Sequence, residues 1–328
     1  MQRRPLGRTG LHVSRLALGT MTWARDTDEH EAREQLATFL EAGGTLVDTA
    51  DMYADGASEE LVGRLLAETG TRGDVVLATK AVMRPGTERR FDASRAHLLR
   101  ALDASLARLG VDHVDLWQLH AWDPWTPLEE TLAAVDDAVR SGRVRYAGVS
   151  NYCGWQLGAA ASWQRAVPGR APIASVQVEY SLLQRGVERE VVPAAADLGV
   201  GLLAWSPLGR GVLTGKYRHG VPADSRAATA HLGQFAAEFL TDDRRRVVDA
   251  VCTAADGLGV APLEVALAWV RDRPGVTSAI VGARTGAQLR GVLAAEELEL
   301  PDEIVEALDD VSSPERSYPE HGWNQRPR

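Results

Sequence analysis

The sequence predicts an α/β protein of the (β/α)8 TIM barrel class, with an N-terminal β-hairpin and an extended loop plus extra helix after the seventh strand. Eight short apolar runs carry that reading: 15–20, 45–50, 75–80, 114–120, 144–150, 174–181, 201–206 and 278–282. Their ends lie mostly about 25 to 40 residues apart, room for a strand, a helix and two loops. Strands alternating with helices at this spacing imply a parallel sheet, and eight units close into a barrel. A chain of 328 residues, 45% hydrophobic and 25% charged, has apolar material for one large core, so 1–328 reads as a single domain.

The individual elements follow from local signals. In "RRPLGRTGLHVSR" the turn Gly7–Gly10 joins two strand-like pieces, which reads as a hairpin plugging the N-terminal mouth of the barrel. Residues 92–110 place Leu98, Leu102, Leu106 and Leu109 at helical spacing and stop at Gly110. Residues 127–142 open with Pro127 and acidic residues and end in Arg140 and Gly142, the order a helix dipole favours. The interval from 206 to 282 is too long for one crossover. It reads as a polar loop (207–241) followed by helices at 242–257 and 262–272. A long loop after a barrel strand sits on the face where such folds work. The tail 312–328 carries Tyr318 and Trp323, expected to pack against the body.

Composition excludes several classes. The net charge is −9 and no basic block occurs, so a nucleic-acid partner is not expected. No run approaches the roughly 18 apolar residues of a membrane span. The N-terminus does not read as a signal peptide, because Gly7, Gly10 and His12 break its apolar segment. The two cysteines, Cys153 and Cys252, form no CxxC or Cys/His cluster, which fits a reducing, cytoplasmic setting. Oligomeric state has no signature in the pattern.

Chemistry enters at strand ends. Asp48, Lys80 and His120 stand at or near the ends of three successive runs, and Tyr53 follows Asp48 by five residues, just before a helix. Adjacent strands lie about 4.8 Å apart, so the four side chains can converge on one rim. Lys80 stands out, because only it and Lys216 are lysines among 36 basic residues. A lysine offers a compact, tunable charge where arginine offers a broad fork that stays protonated. A cation about 4 Å from a phenolate attracts it by about 4 kcal/mol at an effective dielectric near 20, which predicts a Tyr53 more acidic than an ordinary phenol. Asp48 would keep Lys80 charged, and His120 would orient a substrate oxygen.

Asp48, Tyr53, Lys80 at the end of "LATK" and His120 in "LWQLH" resemble the tetrad of the aldo-keto reductase family. So do "AVRSGRVRYAGVSN" (138–151), "VQVEYS" (176–181), "AWSPLGRGVLTGKY" (204–217) and "IVGARTGAQL" (280–289). The likeness is greatest to the bacterial and plant branch related to the potassium-channel β-subunits. It implies reduction of a small aldehyde or ketone with NADPH, or with NADH as the alternative, and Tyr53 as general acid. It also implies that Ser150, Asn151 and Gln177 hold the nicotinamide carboxamide and that Trp205 stacks on the ring. Ser206, Leu208, Arg210 and Lys216 would meet the pyrophosphate. Arg284 and Gln288 would approach the adenosine end, with Arg284 a partner for a 2′-phosphate. Gly19, Thr20, Met21 and Gly282 would line the site. Gly291 and Val292 stand where the branch commonly has an acidic residue and an asparagine near adenine. Trp23, Trp122 and Trp125 fall in expected strand-to-helix loops and are expected to line a substrate pocket. The Rossmann GxGxxG is absent; "GRGVLT" leads into a loop.

Two other functions fit parts of the pattern. A metal-assisted hydrolase or isomerase could take Asp48, His120 and Glu179 as ligands, but the ammonium of Lys80 among them opposes a metal, so none is expected. A redox-sensing subunit could bind the cofactor and turn over slowly with the same tetrad.

Overall fold

The computed structural model describes residues 1–222, 225–229 and 233–315; Tyr318 and Trp323 lie outside them. The hairpin pairs β1 (Arg3–Pro5) with β2 (His12–Ser14). Eight parallel strands then close a barrel: β3 (Leu16–Gly19), β4 (Leu46–Asp48), β5 (Val76–Ala81), β6 (Val114–Leu119), β7 (Val144–Ser150), β8 (Ile173–Glu179), β9 (Gly201–Trp205) and β10 (Val276–Val281), with β10 returning to β3. All eight expected runs are strands of this barrel.

The helices between strands are α1 (Glu29–Glu41), α2 (Ala57–Thr69), α3 (Arg95–Leu109), α4 (Leu128–Arg140), α5 (Gly154–Arg165) and α6 (Val187–Leu198). After β9 come the short α7 (Gly233–Ala237), then α8 (Asp242–Leu258) and α9 (Pro262–Arg271); α10 (Gly286–Leu293) and α11 (Asp302–Val311) follow β10. α3 shows how local chemistry sets the boundaries. Ser94 caps its first turn through His97 N, Gly110 ends it in the left-handed region, and Leu98, Leu102, Leu106 and Leu109 are buried on one face. The stretch 207–241 is not simply a loop, since it also holds a 3-10 turn at Gly209–Thr214. No single helix among the described residues is long and apolar enough to cross a membrane.

The barrel interior is layered by the two-residue period of its strands. Ala17, Leu46, Ala78, Leu116, Leu203 and Ile280 form one buried cluster with Leu6 and Val13 of the hairpin. The hairpin therefore closes the N-terminal mouth. Its turn is seated tightly: Gly7 has φ +59, and a Cβ there would meet Gly199 O at 2.5 Å. Two residues further along the same strands, the inward positions become Gly19, Asp48, Lys80, Gln118, Trp205 and Gly282. The apolar plug thus gives way in one step to a polar floor under the C-terminal mouth.

Candidate active site

A cavity of about 780 Å³ opens above that floor, and all eight barrel strands or the loops after them contribute to its wall. Lys80 lies beneath it, with no solvent exposure. Its ammonium has three hydrogens and three acceptors: Asp48 Oδ2 at 2.6 Å, the Thr49 carbonyl at 2.8 Å and Tyr53 OH at 3.3 Å. A planar guanidinium would not match this compact trio, which accounts for a lysine in an arginine-rich chain. Burial alone would lower the Lys80 pKa, but Asp48 and then Tyr53 outweigh it, and the group stands above its ordinary value. It is charged at neutral pH.

Asp48 is held from its other side as well. Its Oδ1 accepts Gln177 Nε2 at 2.9 Å and Gln118 Nε2 at 3.3 Å. Ser175 Oγ donates in turn to Gln118 Oε1 at 3.4 Å. Gln118 and Ser175 were missed in the sequence, although Gln118 stands two residues before His120 and so shares its side of β6.

Tyr53 and His120 face each other edge to face, ring centroids 5.9 Å apart, and both line the cavity. Burial first, and Lys80 second, hold the His120 imidazole well below its usual range, so it is neutral. Its Nδ1 is buried without a hydrogen-bond partner among the described residues. One expectation is corrected here. Burial is the largest influence on Tyr53 and raises its pKa; Lys80 lowers it, Asp48 raises it again, and the net result is a phenol less acidic than usual. The ammonium comes paired with its own carboxylate, so the tyrosine feels the field of a pair rather than of a lone cation.

Around the rest of the cavity lie Gly19, Thr20 and Met21 after β3, Ser150 and Asn151 after β7, and Gln177 on β8. Trp205, Ser206, Leu208, Arg210 and Lys216 follow along β9 and its loop, and Gly282, Arg284 and Gln288 come after β10. Asn151 works as a bracket: its Nδ2 donates to the His120 carbonyl at 2.9 Å and Ser150 Oγ at 3.1 Å, and its Oδ1 accepts Trp205 Nε1 at 3.0 Å. Arg210 clamps Glu179 through two bonds, at 2.8 and 2.9 Å, and also reaches Glu238 at 2.5 Å. Glu179 is thereby committed to an arginine and Asp48 to a lysine, which leaves neither suited to a metal. Asn151, Ser206 and Arg210 all have φ between +50 and +60. Non-glycine residues in that region store strain, and such strain gathers at functional sites. Met52, Met83, Gly291 and Val292 complete parts of the wall.

The three loop tryptophans are not part of this wall. Trp23 is fully buried, because a tight turn (Trp23 N to Thr20 O, 3.0 Å) folds its ring inward to donate to Gln35 Oε1 of α1. Trp122 packs edge to face on Tyr152 and Trp155, each at 5.2 Å, and Trp125 is 66% exposed.

Such a barrel, with a buried lysine–aspartate pair under a tyrosine and a histidine at its mouth, has a counterpart among known proteins. The chain belongs to the aldo/keto reductase family, whose model matches residues 15–313. This is a family of oxidoreductases that act on carbonyl compounds and generally use a nicotinamide cofactor. The chain is similar to the uncharacterized oxidoreductase YrpG of Bacillus subtilis, 39% identical over 95% of this chain and 96% of that protein. It is similar to a probable voltage-gated potassium channel subunit beta of Oryza sativa, 37% identical over 97% of this chain and 99% of the other. Aldo-keto reductase YhdN of Bacillus subtilis is 33% identical over 89% of this chain and 88% of its own.

Proposed function

We propose that the protein is an NADPH-dependent carbonyl reductase in which Tyr53 gives its proton to the carbonyl oxygen. The carrying observation is the fully satisfied Lys80 ammonium, bonded to Asp48 and to the phenol at once. The donor set suits a nicotinamide dinucleotide. The cavity is in the size range of small-molecule sites; Lys216 and Arg284 bring cations to its long wall, where Arg210 is already paired with Glu179 and Glu238. When bound, the cofactor supplies hydride to the carbonyl carbon. Ser150, Asn151 and Gln177 would hold its carboxamide, with one lone pair of Asn151 Oδ1 left over from Trp205. The Trp205 ring would face the nicotinamide, Ser206, Leu208, Arg210 and Lys216 the pyrophosphate, and Arg284 with Gln288 the adenosine end.

The chain's own chemistry is proton transfer. A phenol of raised pKa is fully protonated at neutral pH, and an alkoxide forming against it is a much stronger base than a phenolate. Tyr53 is therefore a competent donor without an unusually low pKa. The Lys80–Asp48 pair steadies the phenolate that results. Neutral His120, with one ring nitrogen lacking a partner, would hydrogen-bond and orient the substrate oxygen.

The test is turnover of reduced nicotinamide with a panel of aldehydes, ketones and sugars, NADPH against NADH, for the wild type and Tyr53→Phe. Tyr53→Phe is expected to bind NADPH normally and to lose turnover by about 10²–10⁴-fold; unchanged turnover would remove Tyr53 from the role. The likeness to channel β-subunits favours a second reading, a slow cofactor-bound sensor. A wild type that binds NADPH tightly yet consumes it very slowly with every carbonyl would support that one.

A further inference from the structure

Behind the turn that carries Tyr53 lies a charge cluster that the tetrad does not include. Glu59, fully buried on the first turn of α2, accepts Thr79 Oγ1 at 2.5 Å and Arg108 Nε at 2.7 Å. Thr79 is the neighbour of Lys80 on β5, and Arg108 comes from α3. Arg108 also lies against Gly56, where a Cβ would sit 2.7 Å from its Cδ. Glu59 and Arg108 therefore tie strand, helix and catalytic turn together. Asp51 is the second carboxylate here. Its amide donates to the Lys80 carbonyl at 3.1 Å, and its Oδ1 is buried with no hydrogen-bond partner among the described residues. A buried carboxylate oxygen without a donor is costly when ionised and far less so when protonated. The charged groups bearing on it are Glu59 from α2, Arg108 from α3, Lys80 from β5 and Tyr53 on its own turn.

We propose that Asp51, set between the Glu59–Arg108 pair and the strand of Lys80, is a positioning residue that carries a proton in the working protein and, on losing it, makes Tyr53 a weaker acid. Burial and then Glu59 push the Asp51 carboxyl up to about 7. An Asp51 carboxylate in turn raises the Tyr53 phenol. Below about pH 7 Asp51 is neutral and Tyr53 gives up its proton more readily; above it, Asp51 is an anion and Tyr53 holds on. Carbonyl reduction should slow as pH rises through that point. The inference rests on Tyr53 being the acid.

The experiment pairs a pH profile of kcat/KM for reduction with a tyrosinate absorbance titration, using Tyr53→Phe to assign the Tyr53 signal. In Asp51→Asn the descending limb near neutrality should flatten, with a gain of up to about tenfold at alkaline pH, since tenfold corresponds to one pKa unit. Its Tyr53 phenol should ionise at lower pH than in the wild type. Glu59→Gln, which removes the like charge, should move the limb to lower pH, a direction that loosened packing does not dictate. Asp51→Glu should retain a limb. Profiles and phenol titrations of Asp51→Asn that superimpose on the wild type would overturn the proposal. A wild type that reduces no carbonyl would count against the proposed function instead, while the phenol titration would still report whether Asp51 and Tyr53 are coupled.

Discussion

Replacing Lys80 with methionine should damage the protein more than replacing Lys80 and Asp48 together. Lys80 Nζ is 3.3 Å from Tyr53 OH and 2.6 Å from Asp48 Oδ2. At an effective dielectric near 20 the first distance gives about 5 kcal/mol of attraction between ammonium and phenolate. Asp48 Oδ2 can be no more than about 6 Å from the phenol oxygen, so its opposing repulsion is about 3 kcal/mol or more on the same scale. The intact pair thus favours the phenolate by about 2 kcal/mol at most, or roughly 30-fold. Lys80→Met removes the attraction and leaves Asp48 buried and uncompensated, with a loss of up to ~5 × 10³-fold if it stays ionised. Stability should fall by about 3–5 kcal/mol, as when one partner of a buried pair is deleted. The double variant Lys80→Met/Asp48→Asn removes both charges, so its turnover should drop only ~30-fold and its stability should partly recover. The assays are steady-state carbonyl reduction at fixed pH, NADPH titration to check that the site persists, and denaturant melts. A double variant no better than the single in both turnover and stability, or a single variant with wild-type turnover, would refute the reasoning.

Other outcomes follow from the same geometry. Asp51 has a folded pKa of about 7 against 3.8 in an open chain, so its contribution to stability is greatest below pH 3.8 and is lost as pH rises through about 7. Asp51→Asn should therefore melt higher than the wild type at pH 8, by up to about 4 kcal/mol, and a melt unchanged with pH in both would contradict this. Arg284→Ala should weaken NADPH binding by about tenfold to a hundredfold, the range of a charge-assisted hydrogen bond, and leave NADH nearly untouched. Equal losses for both cofactors would place Arg284 elsewhere than at a 2′-phosphate. Gly7→Ala meets both a left-handed backbone and Gly199 O at 2.5 Å, so it should cost at least ~1–2 kcal/mol in thermal unfolding. Its kcat should be spared, because the hairpin turn is at the opposite mouth of the barrel.

What the sequence made legible was periodic. Each strand run ended within a few residues of an observed strand end, because the two-residue pleat and the helical stripe are both written in hydrophobicity. What it hid depended on distance and burial. Gln118 and Ser175 look like ordinary polar residues in a strand until register puts them under Asp48. Trp23 sits in a strand-to-helix connection, as a pocket residue would, but a four-residue turn sends its ring to Gln35 in the core. The acidity of Tyr53 was misjudged in sign for the same reason. The presence of Lys80 can be read from its residue type, whereas the depth of the phenol and its distance from the pair cannot.

The raised pKa of Tyr53 bears on how the site would work. If Lys80 served to lower the Tyr53 pKa toward neutrality, part of the tyrosine would be phenolate at rest and useless as a donor. A phenol held above its ordinary value is instead always loaded, and the pair beneath it acts on the product of the transfer. The three acceptors around Lys80 Nζ leave the ammonium no freedom to turn away, and Gln118 and Gln177 fix Asp48 in the same manner. The field is therefore set before a substrate arrives and requires no reorganisation during the transfer, the condition under which electrostatic stabilisation is most effective. On this view the glutamines matter as much as the charges. Gln118→Leu, which keeps the volume but leaves Asp48 short of a donor, should lower kcat without changing which residue gives the proton.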